Sequence, residues 1–250
     1  MGTYKVFNGT DWVNICDCQV HIRNASNNWQ LLDPTNCVTK YWTGTEWCEV
    51  TCTPLPPAGC TEPEVIIGTQ RWTRTNLNVT QYRNGDIIPQ VTDPIAWSNL
   101  TTGAWCHYNN DPANDAIYGK MYNGYAVNDS RGLAPNGFHV PTEAEWITLS
   151  NYLGGASNSA GGKLKEAGTT HWNSPNTGAT NESCFTGLPG GYRFGSGAFS
   201  DIGNRGMFWT STAGSLASSN WSYYLYYDVP YVLYSNYQRN VGLSVRLIRD

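Results

Sequence analysis

The uneven distribution of cysteine divides the chain into two parts that need different sources of stability. Only Cys106 and Cys184 lie beyond residue 60, and the first 60 residues hold six of the eight cysteines: Cys16, Cys18, Cys37, Cys48, Cys52 and Cys60. In the same stretch, Phe7–Trp12 is echoed by Trp42–Trp47, with a weaker copy at Asn24–Trp29. Each copy predicts a β-hairpin: a strand, a Gly- or Asn-bearing turn, and a strand that opens with Trp.

Three small hairpins bury little apolar surface, so crosslinks would help this part to fold. Three states of its cysteines remain open: disulfides with 15 possible pairings, free thiols, or a zinc site. The spacings at Cys16–Cys18 and Cys48–Cys52 do not form the matched pair of Cys-x-x-Cys knuckles that zinc usually takes. We predict a Cys/Trp-rich hairpin region at 1–52, a Pro-rich linker at 53–61, and a larger domain at 62–250.

In the larger domain the clearest helix begins at Thr142. Thr142 and Glu145 form a capping box. Trp146, Leu149 and Leu153 then recur at helical spacing, and Gly154–Gly155 predicts the helix end. A second helix is expected around 100–105 or 117–125. The 26 glycines of the chain, with many Asn and Pro, predict short strands and long loops elsewhere.

Charge excludes several classes of partner. Only 14% of residues are charged, the formal net charge is -4, and Lys and Arg do not cluster. Binding to nucleic acid or to an anionic membrane is therefore not expected. No apolar run approaches the roughly 20 residues that span a bilayer, and the N-terminus lacks the apolar region of a signal peptide. We expect no membrane insertion.

An ordered series of short motifs runs along the larger domain: Val65–Trp72, Asn76–Val79, Tyr118–Asn123, Gly137–Thr142, Glu145–Trp146, Leu153–Gly155, Gly161–Lys165, Leu188–Arg193, Phe208–Thr212 and Gly242–Arg246. This series resembles the Fibrobacter succinogenes major paralogous domain. It covers residues 64–250. The resemblance implies an α+β, C-type-lectin-like fold related to the formylglycine-generating enzyme. The chain departs from the family pattern at Cys184, where Gly is expected, and at Leu247, where Cys often follows Val-Arg.

One branch of that family consists of the variable proteins of diversity-generating retroelements, in which adenine-directed mutation replaces residues near the C-terminus. This chain resembles such a product over a variable segment at 213–246. Seven of its 16 tyrosines lie within 15 residues, from Tyr223 to Tyr237. The resemblance implies a receptor-binding or adhesive protein.

The spacing of these tyrosines favours a binding surface over core packing. Tyr223–Tyr224 and Tyr226–Tyr227 are adjacent pairs, and neighbouring strand residues face opposite sides, so one of each pair must leave the core. The predicted buried anchors are Trp221, Leu225, Val232, Leu243 and Val245. The predicted ligand-binding residues are Leu216, Ser218, Ser219, Tyr223, Tyr224, Tyr226, Tyr227, Val229, Tyr231, Tyr234, Ser235, Tyr237, Arg239 and Asn240. Tyr supplies rigid amphipathic contact area, Ser and Asn supply adaptable hydrogen bonds, and Arg239 adds a charge.

A binding surface that tolerates amino-acid substitution must be stabilised by residues elsewhere in the domain. Six tryptophans are predicted to form this buried framework: Trp72, Trp97, Trp105, Trp146, Trp172 and Trp209.

Catalytic patterns are weak, and we predict that the chain is not an enzyme. Its four histidines are scattered, and His139, before the helix cap, is predicted to be a packed structural residue. No nucleophile motif or phosphate-binding loop occurs. The cysteine pair of formylglycine-generating chemistry has no counterpart after Cys184.

We expect no cofactor. The calcium-dependent sugar-binding signature of lectins is missing, and a structural calcium ion is the alternative. Its candidate ligands are Asp86, Asp111, Asp115, Asp129 and Asp201.

The sequence therefore predicts binding to a cell-surface receptor, protein or glycan, from a phage tail tip or a bacterial surface that faces the exterior. A homotrimer is expected by analogy with phage tips. The alternative is a non-diversified bacterial surface lipoprotein or carbohydrate-binding module.

Overall fold

The computed structural model describes residues 60–250 and, before them, the backbone of six strands. The chain divides into two compact units, Met1–Leu55 and Pro56–Asp250. In the first unit the six strands are β1 Lys5–Phe7, β2 Trp12–Asn14, β3 His21–Arg23, β4 Trp29–Leu31, β5 Val38–Trp42 and β6 Trp47–Thr51. They pair as three antiparallel hairpins, and the second strand of each opens with Trp. The repeat-based prediction of three hairpins is confirmed.

Two sheets organise the second unit. Their strands are β7 Glu64–Ile67, β8 Gln70–Thr73, β9 Trp105–Cys106, β10 Met121–Asn123, β11 Phe138–His139, β12 Gly190–Arg193, β13 Phe199–Ile202, β14 Arg205–Ala213, β15 Ser219–Tyr226, β16 Val232–Gln238, β17 Gly242–Leu243 and β18 Ile248–Arg249. The eight-stranded sheet runs in the order β16-β15-β14-β12-β17-β10-β9, with β13 paired to β12, and the four-stranded sheet in the order β11-β18-β8-β7.

The α-helices of the second unit are short. They are α1 Pro94–Ser98, α2 Asp115–Tyr118, α3 Gly124–Val127, α4 Glu143–Tyr152 and α5 Ala160–Leu164, with 3-10 turns at Tyr108–Asn110 and Pro112–Asn114. The predicted α+β, C-type-lectin-like class is wrong, because the unit is mostly β. The expectation of short strands holds for nine of these twelve strands, which have two to four residues, and fails for β14, β15 and β16, which have nine, eight and seven.

Helix α4 confirms the sequence prediction. Both hydrogen bonds of the capping box between Thr142 and Glu145 are present, and Trp146 and Leu149 are fully buried. Gly154 and Gly155 follow with φ of 108° and 101°, a region that glycine enters without strain.

The second predicted helix is wrong in both of its ranges. No helix forms at 100–105. Within 117–125, α2 ends at Gly119, whose φ is 67°, and β10 follows. The range therefore holds only the last two residues of α2 and the first two of α3. A left-handed residue stops helix propagation.

Strand β14 is buried on both faces. Phe208 and Trp209 are adjacent and fully buried, and alternation along the strand sends them into different apolar clusters. Phe208 belongs to the cluster under α4 and α5, which we call the helix-side core. Trp209 belongs to the cluster around Tyr122 and Leu243, which we call the opposite core. All six predicted framework tryptophans are buried, which confirms that prediction.

Candidate ligand-binding hairpin

The tyrosine-rich segment forms a hairpin at the margin of the large sheet. We call residues 219–238, which comprise β15, β16 and the turn 227–231, the tyrosine hairpin. β15 pairs with β14 on one side and with β16 on the other, while β16 is the outermost strand of the sheet order. Side chains therefore become more exposed from β14 outward.

The helix-side face of the tyrosine hairpin carries an aromatic row. Phe208, Tyr223 and Tyr234 lie opposite one another on β14, β15 and β16. Tyr223 is 3% exposed and stacks on Trp146 with ring centroids 5.2 Å apart and planes 6° apart. Its burial raises the pKa of the Tyr223 hydroxyl to about 12. Tyr234 lies 5.7 Å from Tyr223 and is 57% exposed, so the row runs from core to solvent.

The opposite face carries a half-buried aromatic patch around one arginine. The Arg205 guanidinium lies 4.9 Å from the Tyr226 ring centroid and 5.9 Å from that of Tyr224, within the range of cation–π attraction. Asp201 pairs with Arg205 at 3.1 Å. Tyr237 packs at the edge of the opposite core, and its burial raises the pKa of its hydroxyl. This face of the hairpin thus presents a positive charge together with aromatic rings.

Ser235 lies in the middle of β16, opposite Ser222, and the remaining candidates lie at the two ends of the tyrosine hairpin. Tyr227, Val229 and Tyr231 occupy the turn between the strands. At the other end, Arg239 donates its backbone N–H to the Ser218 carbonyl at 2.8 Å, which joins the segments before β15 and after β16. At about 3.3 Å per residue, the eight residues of β15 separate these ends by roughly 23 Å.

Four of the predicted binding residues are exposed: Leu216, Ser218, Tyr231 and Tyr234. Eight more are half-buried: Tyr224, Tyr226, Tyr227, Val229, Ser235, Tyr237, Arg239 and Asn240. Two are buried, and their predicted exposure is wrong. Tyr223 faces the helix-side core, and the Ser219 hydroxyl folds back to donate to the Leu216 carbonyl at 2.8 Å.

The predicted anchors hold with one exception. Leu225, Val232, Leu243 and Val245 are buried, as predicted. Trp221 is only half-buried, because it lies beyond the end of the helix-side core and contacts Tyr234 instead, with centroids 5.9 Å apart.

Several residues of this region were missed by sequence reasoning. Arg205 and Asp201 precede the predicted variable segment, and they join the patch because Arg205 lies directly opposite Tyr226 in the strand register. Phe194 is 41% exposed and packs on Tyr192 at 4.7 Å. The sequence contains no signal for strand register between distant segments, so these contacts needed the structure.

A disulfide joins Cys60 to Cys184, 124 residues apart in sequence, with Cα atoms 5.2 Å apart. This pairing was not predicted. Cys106 is a buried free thiol. The side chains of Cys16, Cys18, Cys37, Cys48 and Cys52, and with them the alternatives of disulfide, thiol or zinc, lie outside the described residues, as does most of the predicted linker at 53–61.

The five aspartates weighed for calcium have protein partners. Asp86 and Asp129 pair with Arg131, Asp115 with His107 and Lys120, and Asp201 with Arg205. Asp111 accepts from the Ala113 N–H at 2.9 Å. Over residues 60–250, no group of three or more His, Cys, Asp or Glu side chains is arranged to hold a metal ion.

Ion pairs give His139 a structural role. Its two ring nitrogens contact Glu145 at 2.8 Å and Asp250 at 2.7 Å. Its pKa is raised, since hydrogen bonds and charge from these two carboxylates outweigh the desolvation that opposes them.

The fold and this region define a mostly β domain that places an aromatic hairpin at the open margin of its main sheet. Residues 65–249 match the family model of the Fibrobacter succinogenes major domain, and the chain belongs to that family. No curated protein and no solved structure matches the chain. Within the described residues, the helices are all too short or too polar to traverse a bilayer.

Proposed function

We propose that this chain is a ligand-binding, non-enzymatic protein that recognises a receptor on a target cell, protein or glycan, through the tyrosine hairpin. The observation that carries the proposal is the placement of Tyr231 and Tyr234 in solvent, with Tyr224, Tyr226 and Tyr237 half-buried beside them. Single exposed aromatic side chains are ordinary, whereas a contiguous apolar or aromatic patch is typical of a binding surface. Tyrosine dominates antibody binding loops because it gives large contact area for little loss of rotamer freedom.

The spread of the candidate residues favours a macromolecular partner. The turn and the Ser218–Arg239 end are roughly 23 Å apart along β15, farther than one small molecule reaches. Protein interfaces of ordinary size bury about 800 Å² on each partner, and a patch of that area is wide enough to reach both ends of the hairpin. A partner that spans the tyrosine hairpin can contact both ends and either face of β16.

The proposal places the receptor-binding surface outside the cell, on a phage tail or on a bacterial surface. The Cys60–Cys184 disulfide supports this, because disulfides persist in oxidising surroundings and are rare in the cytosol. The composition supports it too, since the net charge of -4 and the scattered basic residues do not suit a nucleic-acid partner.

We further propose that the segment 213–246 is diversified by a retroelement. The burial pattern supports this: Leu225, Val232, Leu243 and Val245 form a buried frame, and six of the seven tyrosines from Tyr223 to Tyr237, all except Tyr223, lie at less buried positions. Substitutions at exposed positions away from the core usually cost little stability.

Sequencing of the gene and its surroundings tests the diversification. The expected result is a near-copy of the codons for 213–246 that differs mainly at adenines, beside a reverse-transcriptase gene. A locus without both elements contradicts the diversification and favours a non-diversified surface lipoprotein or carbohydrate-binding module. The receptor-binding role is tested separately, by the cell-binding measurement that closes the Discussion.

A further inference from the structure

Lys165 lies behind the turn of the tyrosine hairpin and is completely buried. It follows α5 and ends the motif Gly-Gly-Lys-Leu-Lys at 161–165. Its ammonium donates to three main-chain carbonyls: Thr177 at 2.9 Å, Tyr226 at 3.0 Å and Val229 at 3.1 Å. An ammonium has three N–H donors, so each of its protons has a carbonyl partner.

The turn is otherwise held through main-chain atoms as well. Four backbone hydrogen bonds of 2.8–3.0 Å fasten it to surrounding segments: Gly162 N–H to Pro230, Thr177 N–H to Tyr227, Tyr227 N–H to Asn204, and Val232 N–H to Ala156. Main-chain groups are the same for every residue type except proline at the donor. These contacts therefore do not depend on which side chains the turn carries.

The two glycines of the motif allow neighbouring backbone to come close: at Gly161 the backbone of the turn, and at Gly162 the backbone of Gly178. A Cβ at Gly161 would lie 2.0 Å from the Tyr231 carbonyl oxygen, and one at Gly162 would lie 2.1 Å from the Gly178 carbonyl oxygen. Both contacts are with backbone, which cannot move aside as a flexible side chain can. Glycine is required at both positions.

We propose that Lys165, together with Gly161 and Gly162, is the positioning device of the turn 227–231, and that it fixes the turn's backbone while the side chains at 227, 229 and 231 are free to change. The proposal rests on the proposed function only in treating this turn as part of the binding surface. It assigns a role to the Gly-Gly-Lys-Leu-Lys motif, which contributes no side chain to that surface.

The protonation state of Lys165 gives the attachment of the turn a pH dependence that can be measured. Burial lowers its pKa to about 8, with Asp228 on the turn opposing the shift. The Trp172 ring lies 5.5 Å from the ammonium, and the Glu166–His171 ion pair follows Lys165 in the chain. Above that pH the neutral amine has two donors for three carbonyls, so the turn loses one of its attachments.

The test compares three variants by NMR amide exchange. Lys165→Met removes the device. Lys163→Met is the matched control, since Lys163 lies two residues earlier in the chain, within α5, and pairs with Glu182 near the surface. The triple variant Tyr227→Ser, Val229→Ser and Tyr231→Ser changes only turn side chains. We expect at least tenfold faster exchange of the Gly162, Thr177, Tyr227 and Val232 amides in Lys165→Met, and near-normal rates in the other two.

The unmodified protein gives a second measurement, which holds even if Lys165→Met fails to fold. The turn amides should titrate with a midpoint near pH 8, together with the Lys165 side-chain nitrogen signal. The proposal is overturned if these signals show no shared midpoint, or if the triple variant loosens the turn as much as Lys165→Met does. Loss of the receptor-binding role alone would leave both measurements unchanged.

Discussion

Removal of the Tyr223 ring should destabilise the protein far more than removal of the Tyr234 ring, although the two residues face each other across β15 and β16. Tyr223 is 3% exposed and stacked on Trp146, whereas Tyr234 is 57% exposed. Truncation of a buried aromatic side chain to Ala costs about 3–5 kcal/mol. An exposed one seldom costs more than roughly 1 kcal/mol.

Urea denaturation of Tyr223→Ala and Tyr234→Ala measures the difference in their free energies of unfolding, and thermal melts measure the matching difference in Tm. For a domain of this size, each kcal/mol lowers Tm by roughly 2–4 °C, so Tyr223→Ala should melt about 6–20 °C below the unmodified protein. Tyr223→Phe serves as the control, because it keeps the stacked ring and should stay within roughly 1 kcal/mol. Equal losses for the two Ala variants would refute the assignment of Tyr223 to the core.

Three further predictions concern the framework. Replacement of Cys60 and Cys184 by Ser should lower the free energy of unfolding by up to about 4–5 kcal/mol, because the disulfide closes a long loop and so reduces the entropy of the unfolded chain. The loss should be measured as a lower urea midpoint. Arg131 lowers the pKa of Asp129 to about 2, so the stabilisation of the fold by the ionised Asp129 is complete above pH ~4 and is lost as the pH falls toward ~2. Asp129→Asn should therefore flatten the acid limb of a Tm–pH curve. Thr142→Ala should cost about 1 kcal/mol in thermal melts by removing the helix cap.

Local patterns in the sequence predicted local structure well. The capping box and Gly154–Gly155 located α4, because a helix start and end depend on a few adjacent residues. The Trp-opened repeats located three hairpins for the same reason. Tryptophan burial was also predictable, since so large an apolar ring is rarely left in water.

Features that depend on distant segments were not predictable from these patterns. Adjacent tyrosines had to face opposite sides, but the pattern did not say that Tyr223 would meet Trp146 and become core. The Cys60–Cys184 pairing and the contacts of Lys165 join segments up to 124 residues apart. The fold class failed for a related reason, because the length of β14, β15 and β16 depends on pairing between them.

The most direct test of the receptor-binding surface measures the binding of the fluorescently labelled full chain to a panel of bacterial cells. One variant carries Ser at exposed or half-buried candidate positions in the tyrosine hairpin and just before it: Leu216, Tyr226, Tyr231 and Tyr234. The matched control carries Ser at exposed apolar positions elsewhere: Ile66, Ile87, Ile95 and Tyr152. Both should keep a near-normal Tm. We predict that the hairpin variant loses at least tenfold in cell binding while the control binds normally; a hairpin variant that binds as well as the unmodified chain would contradict the account.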